Sequence, residues 1–159
     1  MLARTSKEDH HRRVEALVQR WLDERRTLLA EWTALQAAQK SGAAADELSR
    51  RLETFCEILM DYVSAGHFEI YDELLGEFER YDALSPADGQ ALLARVQSTT
   101  DAVIRFNDLC EDPGRPETLA SLARELPILA LELESRFQTE DRLIALLHEH
   151  TGAGSTARA

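Results

Sequence analysis

The spacing of the apolar residues constrains this sequence most, because they recur at steps of three and four along several long segments. Such spacing places them on one stripe of an α-helix. Leu, Ala, Glu and Arg dominate the composition, short β-branched runs are scarce, and there are only 7 Gly and 4 Pro. We therefore predict an all-helical chain. The first helix should run from near residue 8 to residue 40, with a stripe formed by Val14, Leu17, Val18, Trp21, Leu22, Leu28, Leu29, Trp32 and Leu35.

The breaks between these segments contain residues that weaken or end a helix. Residues 41–45 are predicted to form a loop, with Asp46 as the N-cap of the second helix. The small residues 64–66 should end that helix, since Gly66 supplies the backbone freedom that a helix end or corner needs. Pro86 is suited to the first turn of a later helix, and residues 111–116 read as another loop.

The last helical segment is predicted to begin near Glu117. Pro127 should either kink it or divide it into a short helix and a long one. Residues 151–159 are small and polar and are predicted to be a disordered tail. Residues 1–150 are predicted to form one domain, an antiparallel helical bundle with four main long helices and shorter ones.

Two charged residues fall on core-facing stripes of the predicted helices. Arg25 lies four residues after Trp21 on the first helix, and Glu140 lies three residues after Phe137 on the last. Because an unpaired buried charge is expensive, each needs a partner. We predict that Arg25 and Glu140 pair between helices, with Trp21 and Phe137 as part of the supporting core.

The net charge of −11 is unevenly distributed along the chain. Residues 1–60 hold ten basic and ten acidic side chains, whereas residues 61–159 hold eight basic and nineteen acidic ones. An acidic surface repels phosphate backbones, which argues against direct binding of nucleic acid. It attracts basic protein partners, although a solvated face that keeps the protein soluble would carry the same charge.

Several features predict a cytoplasmic protein. No apolar run approaches the ~18 residues of a membrane span, and the charged N-terminus lacks the apolar core of a secretory signal. Cys56 and Cys110 are the only cysteines and lie in apolar helical patterns, as reduced, packed thiols do, although a disulfide between them stays possible.

The sequence offers little catalytic chemistry, and we predict no enzyme activity, cofactor or metal. It has no phosphate-binding glycine loop, no paired-cysteine zinc spacing and no nucleophile elbow. The alternative is a haemerythrin-like, metal-binding helical-bundle enzyme or sensor. Di-iron bundles need Glu-x-x-His pairs on two helices, which are absent here, although His67, Asp61, Glu140 and Asp141 could meet in space.

Three motifs go beyond this general picture. They span residues 18–25, 61–71 and 134–144, and the most specific of them reads Asp-Tyr-Val-Ser-Ala-Gly-His-Phe-Glu-Ile-Tyr. In their order and spacing they resemble the Rsd/AlgQ family of bacterial anti-sigma factors, particularly its pseudomonad branch. The resemblance is good over residues 14–82 and 128–147 and loose over 83–127.

The resemblance implies a helical bundle that binds the C-terminal promoter-recognition region of the primary sigma factor. Such binding sequesters the sigma factor from core RNA polymerase and favours alternative sigma factors as growth slows; in the pseudomonad branch it is linked to alginate regulation. A monomer or weak dimer is expected. A regulatory module for some other partner of the acidic surface stays open on charge alone.

The resemblance also implies where the sigma factor binds. The acid of the family's motif falls on Asp61, which is predicted to accept a charge-assisted hydrogen bond from a sigma arginine. Its position near a helix C-terminus opposes the macrodipole and so suggests a specific partner. Ser64, His67, Phe68 and Tyr71 are predicted to build the rest of the contact surface or to hold its shape, and for His67 both roles stay open.

Overall fold

The computed structural model of the protein describes residues 2–65, 70–80 and 85–156. The all-α prediction is confirmed, because these residues contain no strand. The four longer helices have 39, 21, 24 and 41 residues, and the short α3 has 10. None of the described helices is long and apolar enough to cross a bilayer. In chain order the helices are α1 Leu2–Lys40, α2 Ala45–Ala65, α3 Tyr71–Arg80, α4 Pro86–Leu109 and α5 Pro116–Thr156.

Local sequence signals explain where the helices begin and end. Between α1 and α2 the chain turns through Gly42, whose φ of 71° lies in the left-handed region that favours glycine. Helix α2 ends at Ala65, at the predicted break. Ser85 caps α4, because its hydroxyl oxygen accepts the backbone N–H of Asp88 at 3.2 Å, and Pro86 follows as the first helical residue.

The predicted N-cap of α2 was wrong by two positions. The N–H of Leu48 donates to the carbonyl of Ala44 at 3.0 Å, so α2 begins at Ala45 and Asp46 lies in its first turn. Alanine is the strongest helix former, which explains the earlier start. Within the first turn the Asp46 carboxylate still interacts favourably with the helix macrodipole.

Of the two outcomes predicted for Pro127, a kink or a division, the division does not occur, because α5 continues through this residue. Proline removes one backbone hydrogen bond, but Leu126 and Leu129 are buried on either side of it and hold the segment against the core. The helix also extends to Thr156, into the segment predicted to be a disordered tail. That segment contains no proline to stop it, and residues 157–159 lie outside the described part of the chain.

Contacts between named side chains establish that two pairs of neighbouring helices are antiparallel. Trp21, at the middle of α1, stacks on Tyr62 near the end of α2 at 6.1 Å between centroids. Trp32, later in α1, meets Phe55, earlier in α2, at 5.8 Å. Helices α4 and α5 are also antiparallel, since residues 102–109 and 125–132 line a common cleft whereas Arg136 reaches back to Thr99 and Thr100.

The core is rich in leucine and runs along the centre of the bundle. Burial of each such side chain contributes roughly 1.5–3 kcal/mol to folding. The described leucines with no exposed surface are Leu28 and Leu35 on α1, Leu52 and Leu59 on α2, Leu74 on α3 and Leu122 on α5.

Candidate functional site

A groove of about 670 Å³ lies between the second half of α2 and the end of α4. Carboxylates enter it from both sides, and no lysine or arginine is among its described lining residues. Negative charge concentrated in a groove raises the local concentration of positively charged partners. The lining consists of Glu53, Cys56, Glu57, Met60 and Asp61 from α2, and Asn107, Asp108, Cys110, Glu111 and Pro113 from the end of α4 and the residues after it.

Asp61 lies at one end of this acidic groove, in the last turns of α2 and exposed to solvent. No described residue forms an ion pair or hydrogen bond with its carboxylate. The last turn of α2 contains no basic side chain either, so nothing there offsets the unfavourable position of an acid near a helix C-terminus. The carboxylate is therefore available to a positively charged group from outside the protein.

The other predicted contact residues are distributed over different environments. Ser64 is exposed one turn after Asp61. Tyr71, in contrast, is only 2% exposed, so in this structure it can hold the shape of the surface but does not form part of it. His67 and Phe68 lie outside the described residues.

A buried polar network lies beneath this surface and converges on Glu140, which has no exposed surface. The hydroxyl of Tyr62 donates to Glu140 Oε1 at 2.6 Å, and that of Tyr71 donates to Oε2 at 2.7 Å. Arg25 Nη2 lies 3.1 Å from Oε1, and Arg136 Nε lies 3.2 Å from Oε2. Two arginines and two tyrosines thus surround one carboxylate symmetrically.

Arg25 and Glu140 form the ion pair that the two core-facing stripes predicted. Arg25 Nε also donates to the hydroxyl of Tyr62 at 3.1 Å. The guanidinium lies 4.7 Å from the ring centroid of Phe137 and 5.9 Å from that of Trp21, distances at which a cation and an aromatic face attract each other. The structure therefore brings the four predicted support residues together.

Arg136 completes the network, and sequence reasoning gave it no role. Its side chain has no exposed surface, and its Nη2 donates to the hydroxyl of Tyr71 at 2.8 Å. Its Nη1 donates to the hydroxyls of Thr99 and Thr100 at 3.1 and 2.7 Å. The sequence feature that could have predicted this role is the position of Arg136 four residues before Glu140, a spacing that brings side chains together on a helix.

The titration of these groups reflects their burial. Desolvation raises the pKa of Glu140, while Arg136, the two tyrosine hydroxyls and Arg25 act in the opposite direction. Desolvation, with the nearby charge of Glu140, also raises the pKa values of Tyr62 and Tyr71. Both phenols therefore stay protonated at neutral pH and can donate to the carboxylate.

The network connects the interior of the bundle to the exposed acid. Tyr62 follows Asp61 in the chain, and Tyr71 opens α3 just after residues 66–69. Both hydroxyls are fixed on the same carboxylate of α5. Tyr62 and Tyr71 therefore anchor both ends of the most specific motif, residues 61–71, in the core. This anchoring fixes the direction in which α2 presents Asp61.

The same geometry bears on the metal-site alternative. Both oxygens of Glu140 already accept hydrogen bonds from protein donors, and Asp141 pairs with Arg25. Asp61 is exposed and lines the acidic groove, and His67 lies outside the described residues. Among the residues that the structure describes, no group of three or more His, Cys, Asp or Glu side chains is arranged to hold a metal ion.

Comparison with known proteins supplies the family context. Residues 1–148 match the family described as "Regulator of RNA polymerase sigma(70) subunit, Rsd/AlgQ". Proteins named "Regulator of sigma D" from Salmonella paratyphi B (strain ATCC BAA-1250 / SPB7) and Salmonella schwarzengrund (strain CVM19633) are each 32% identical to the chain over 146 residues. In both cases the match covers 86% of this chain and 86% of the relative. No solved structure matches the chain.

Proposed function

Because the chain belongs to the Rsd/AlgQ family of regulators of the RNA polymerase sigma(70) subunit, we propose that it is an anti-sigma factor. It binds the C-terminal promoter-recognition region of the primary sigma factor and sequesters it from core RNA polymerase, which leaves core enzyme for alternative sigma factors. The observation that carries this proposal is the exposed carboxylate of Asp61, which has no partner among the described residues and stands at the end of an acidic groove.

The charge of the groove suits such a partner. A protein region that recognises promoter DNA is basic because most of its contacts are made to phosphates. Five carboxylates line the groove without a compensating described cation: Glu53, Glu57, Asp61, Asp108 and Glu111. An acidic groove can occupy a basic DNA-recognition surface in place of DNA, and the long-range attraction speeds the encounter.

Asp61 is the proposed anchor of the interface. Its carboxylate accepts a charge-assisted hydrogen bond from a sigma arginine, and a bidentate pair would fix the orientation of the partner as well as add affinity. Ser64, exposed one turn later, is placed to contribute a hydroxyl. His67 and Phe68 are proposed to extend the contact, and Tyr71 to support it from the core.

The finer features of the proposal follow from sequestration. The protein acts stoichiometrically rather than as an enzyme, in the cytoplasm where the polymerase works. Its acidic groove does not bind nucleic acid directly, since phosphates would be repelled. It acts as a monomer or weak dimer, and its effect grows as the ratio of this protein to the primary sigma factor rises when growth slows.

The decisive experiment measures binding of the full chain to the isolated C-terminal region of the primary sigma factor by calorimetry. Asp61→Asn is compared with Glu47→Gln, which removes the same charge from the exposed first turn of the same helix, outside the groove. We expect tight wild-type binding that is weakened by Asp61→Asn and unchanged by Glu47→Gln.

The outcomes separate the function from its anchor. Equal losses of affinity in the two variants would mean that binding depends only on net charge, and Asp61 would then not be a specific contact. Normal binding by Asp61→Asn would move the interface elsewhere on the protein. Absence of binding by the wild-type chain would refute the anti-sigma function.

A further inference from the structure

The acidic groove contains a second chemical feature that the proposed function does not use. Cys56 of α2 and Cys110, directly after α4, both line it, and each is only 8% exposed. The residues beside them pack together, since the rings of Phe55 and Phe106 are 6.2 Å apart. Two free cysteines that are 54 positions apart in the chain therefore face the same part of one groove.

The two thiols are close enough to affect each other. Interaction between the two thiols raises the pKa of Cys56 and lowers that of Cys110, while burial raises both. Since the thiolate is the reactive form, the pair is asymmetric in the way that an attacking and a resolving cysteine are.

We propose that Cys56 and Cys110 form a dithiol–disulfide pair that is oxidised by hydroperoxides and restored by thiols. This inference does not rest on the anti-sigma function. The groove admits a molecule as small as hydrogen peroxide, and both cysteines line it. A disulfide between them joins α2 to the end of α4 beside Asp61.

The reaction proceeds in two balanced steps. The Cys110 thiolate attacks one oxygen of hydrogen peroxide; a sulfur–oxygen bond forms, the oxygen–oxygen bond breaks, and the leaving hydroxide takes up a proton to become water. The Cys56 sulfur then attacks the sulfenic sulfur of Cys110; the sulfur–sulfur bond forms, the sulfur–oxygen bond breaks, and a second water leaves. Two thiols are oxidised, and one peroxide is reduced to two waters.

Cys110 lies at a helix end, where the backbone is best able to adjust to the new bond. A disulfide requires Cα atoms roughly 4.4–6.8 Å apart and a defined dihedral angle. Cys110 follows the last residue of α4, with φ −101° and ψ 18°, and leads into the loop before Pro116. A residue at a helix end can adjust its position with less disruption than one in the middle of a helix. Cys56, within α2, provides the fixed side of the pair.

The test exposes the reduced full-length protein to stoichiometric hydrogen peroxide and follows intact mass and free thiols. We expect both thiols to disappear together, the mass of the monomer to fall by two hydrogen atoms, and dithiothreitol to reverse both changes. Thiols that stay titratable, disulfides that form only between molecules, or oxidation that ends in sulfinic acid would each overturn the proposal.

Two single variants test the assignment of the thiols. Cys56→Ser lacks the resolving sulfur, so a sulfenic acid should accumulate at Cys110 and be trapped by dimedone. Cys110→Ser lacks the attacking sulfur, so it should react with peroxide at least about tenfold more slowly than Cys56→Ser, which keeps it. The reverse order of reactivity would contradict the assignment, and circular dichroism confirms that each variant is folded.

Discussion

Two acidic regions of this protein, the buried network and the groove, use the same chemical group in opposite ways. Asp61 and Tyr62 are consecutive, yet Asp61 is exposed at the groove whereas Tyr62 is 1% exposed and bonded to Glu140. In the network one carboxylate contacts two arginines and two tyrosines, and in the groove five carboxylates have no described cation among the lining residues. A carboxylate that is buried with partners specifies the fold, and one that is exposed without them is available for recognition.

The largest loss of stability should follow from removing a member of the buried network. Arg136→Met keeps much of the side-chain volume but removes one of the two ion-pair partners of Glu140 and the donor to two threonine hydroxyls. Removing one member of a buried charge pair costs about 3–5 kcal/mol. Urea unfolding should show that loss, and a change below about 1 kcal/mol would mean that the network contributes little to stability.

A substitution in the acidic groove should weaken binding and leave stability unchanged. Asp61→Asn should leave the free energy of unfolding unchanged within about 0.5 kcal/mol, because the side chain is exposed and has no described partner. The variant's free energy of binding to the C-terminal region of the primary sigma factor should be weaker by about 2–5 kcal/mol if the contact is desolvated in the complex. A variant that loses stability and affinity together would show that the two regions are not separable in this way.

The parts that sequence could predict are those that depend on local chemistry. Helical stripes, the position of Pro86 in the first turn of α4 and the break after Ala65 are encoded by nearby residues, and the structure has them at the expected places. The Arg25–Glu140 pair was also predictable, because each residue interrupts an apolar stripe and burial of a charge demands a partner.

The features that the sequence did not predict depend on contacts between distant parts of the chain. Arg136 lies beside the stripe of α5, and only the packing of α3 and α4 places Tyr71, Thr99 and Thr100 around it. The acidic groove arises in the same manner, from two helix ends that the sequence does not reveal as neighbours. For Pro127 the sequence left a kink and a division open, and burial of the flanking leucines keeps α5 continuous.

Alkaline pH provides a second way to break the network, without mutation. Burial raises the pKa values of Tyr62 and Tyr71 in the folded protein above the value of about 10 expected when unfolded. The folded state thus holds these two protons more tightly than the unfolded state does. The stability that the two phenols contribute is fully present below pH ~10 and is lost as pH rises above that value. Each phenol should lower the free energy of unfolding by about 1.4 kcal/mol per pH unit there.

Phenolate absorbance and urea unfolding measure this effect directly. In a Tyr81→Phe background, Tyr62 and Tyr71 are the only phenols left in the chain. Their ionisation should coincide with unfolding rather than precede it. Phenolate formation near pH 10 in protein that is still folded would show that the two hydroxyls are not held in the network.

The smallest effect tests whether Tyr71 belongs to the core or to the binding surface. Tyr71→Phe removes a hydroxyl that accepts from Arg136 and donates to Glu140, so the free energy of unfolding should fall by about 1–3 kcal/mol. Because the ring is 2% exposed, affinity for the sigma region should change less than about threefold, well below the effect of Asp61→Asn. If affinity fell tenfold or more while stability was kept, Tyr71 would be a contact residue, and the separation between the buried network and the exposed groove would have to be redrawn at that position.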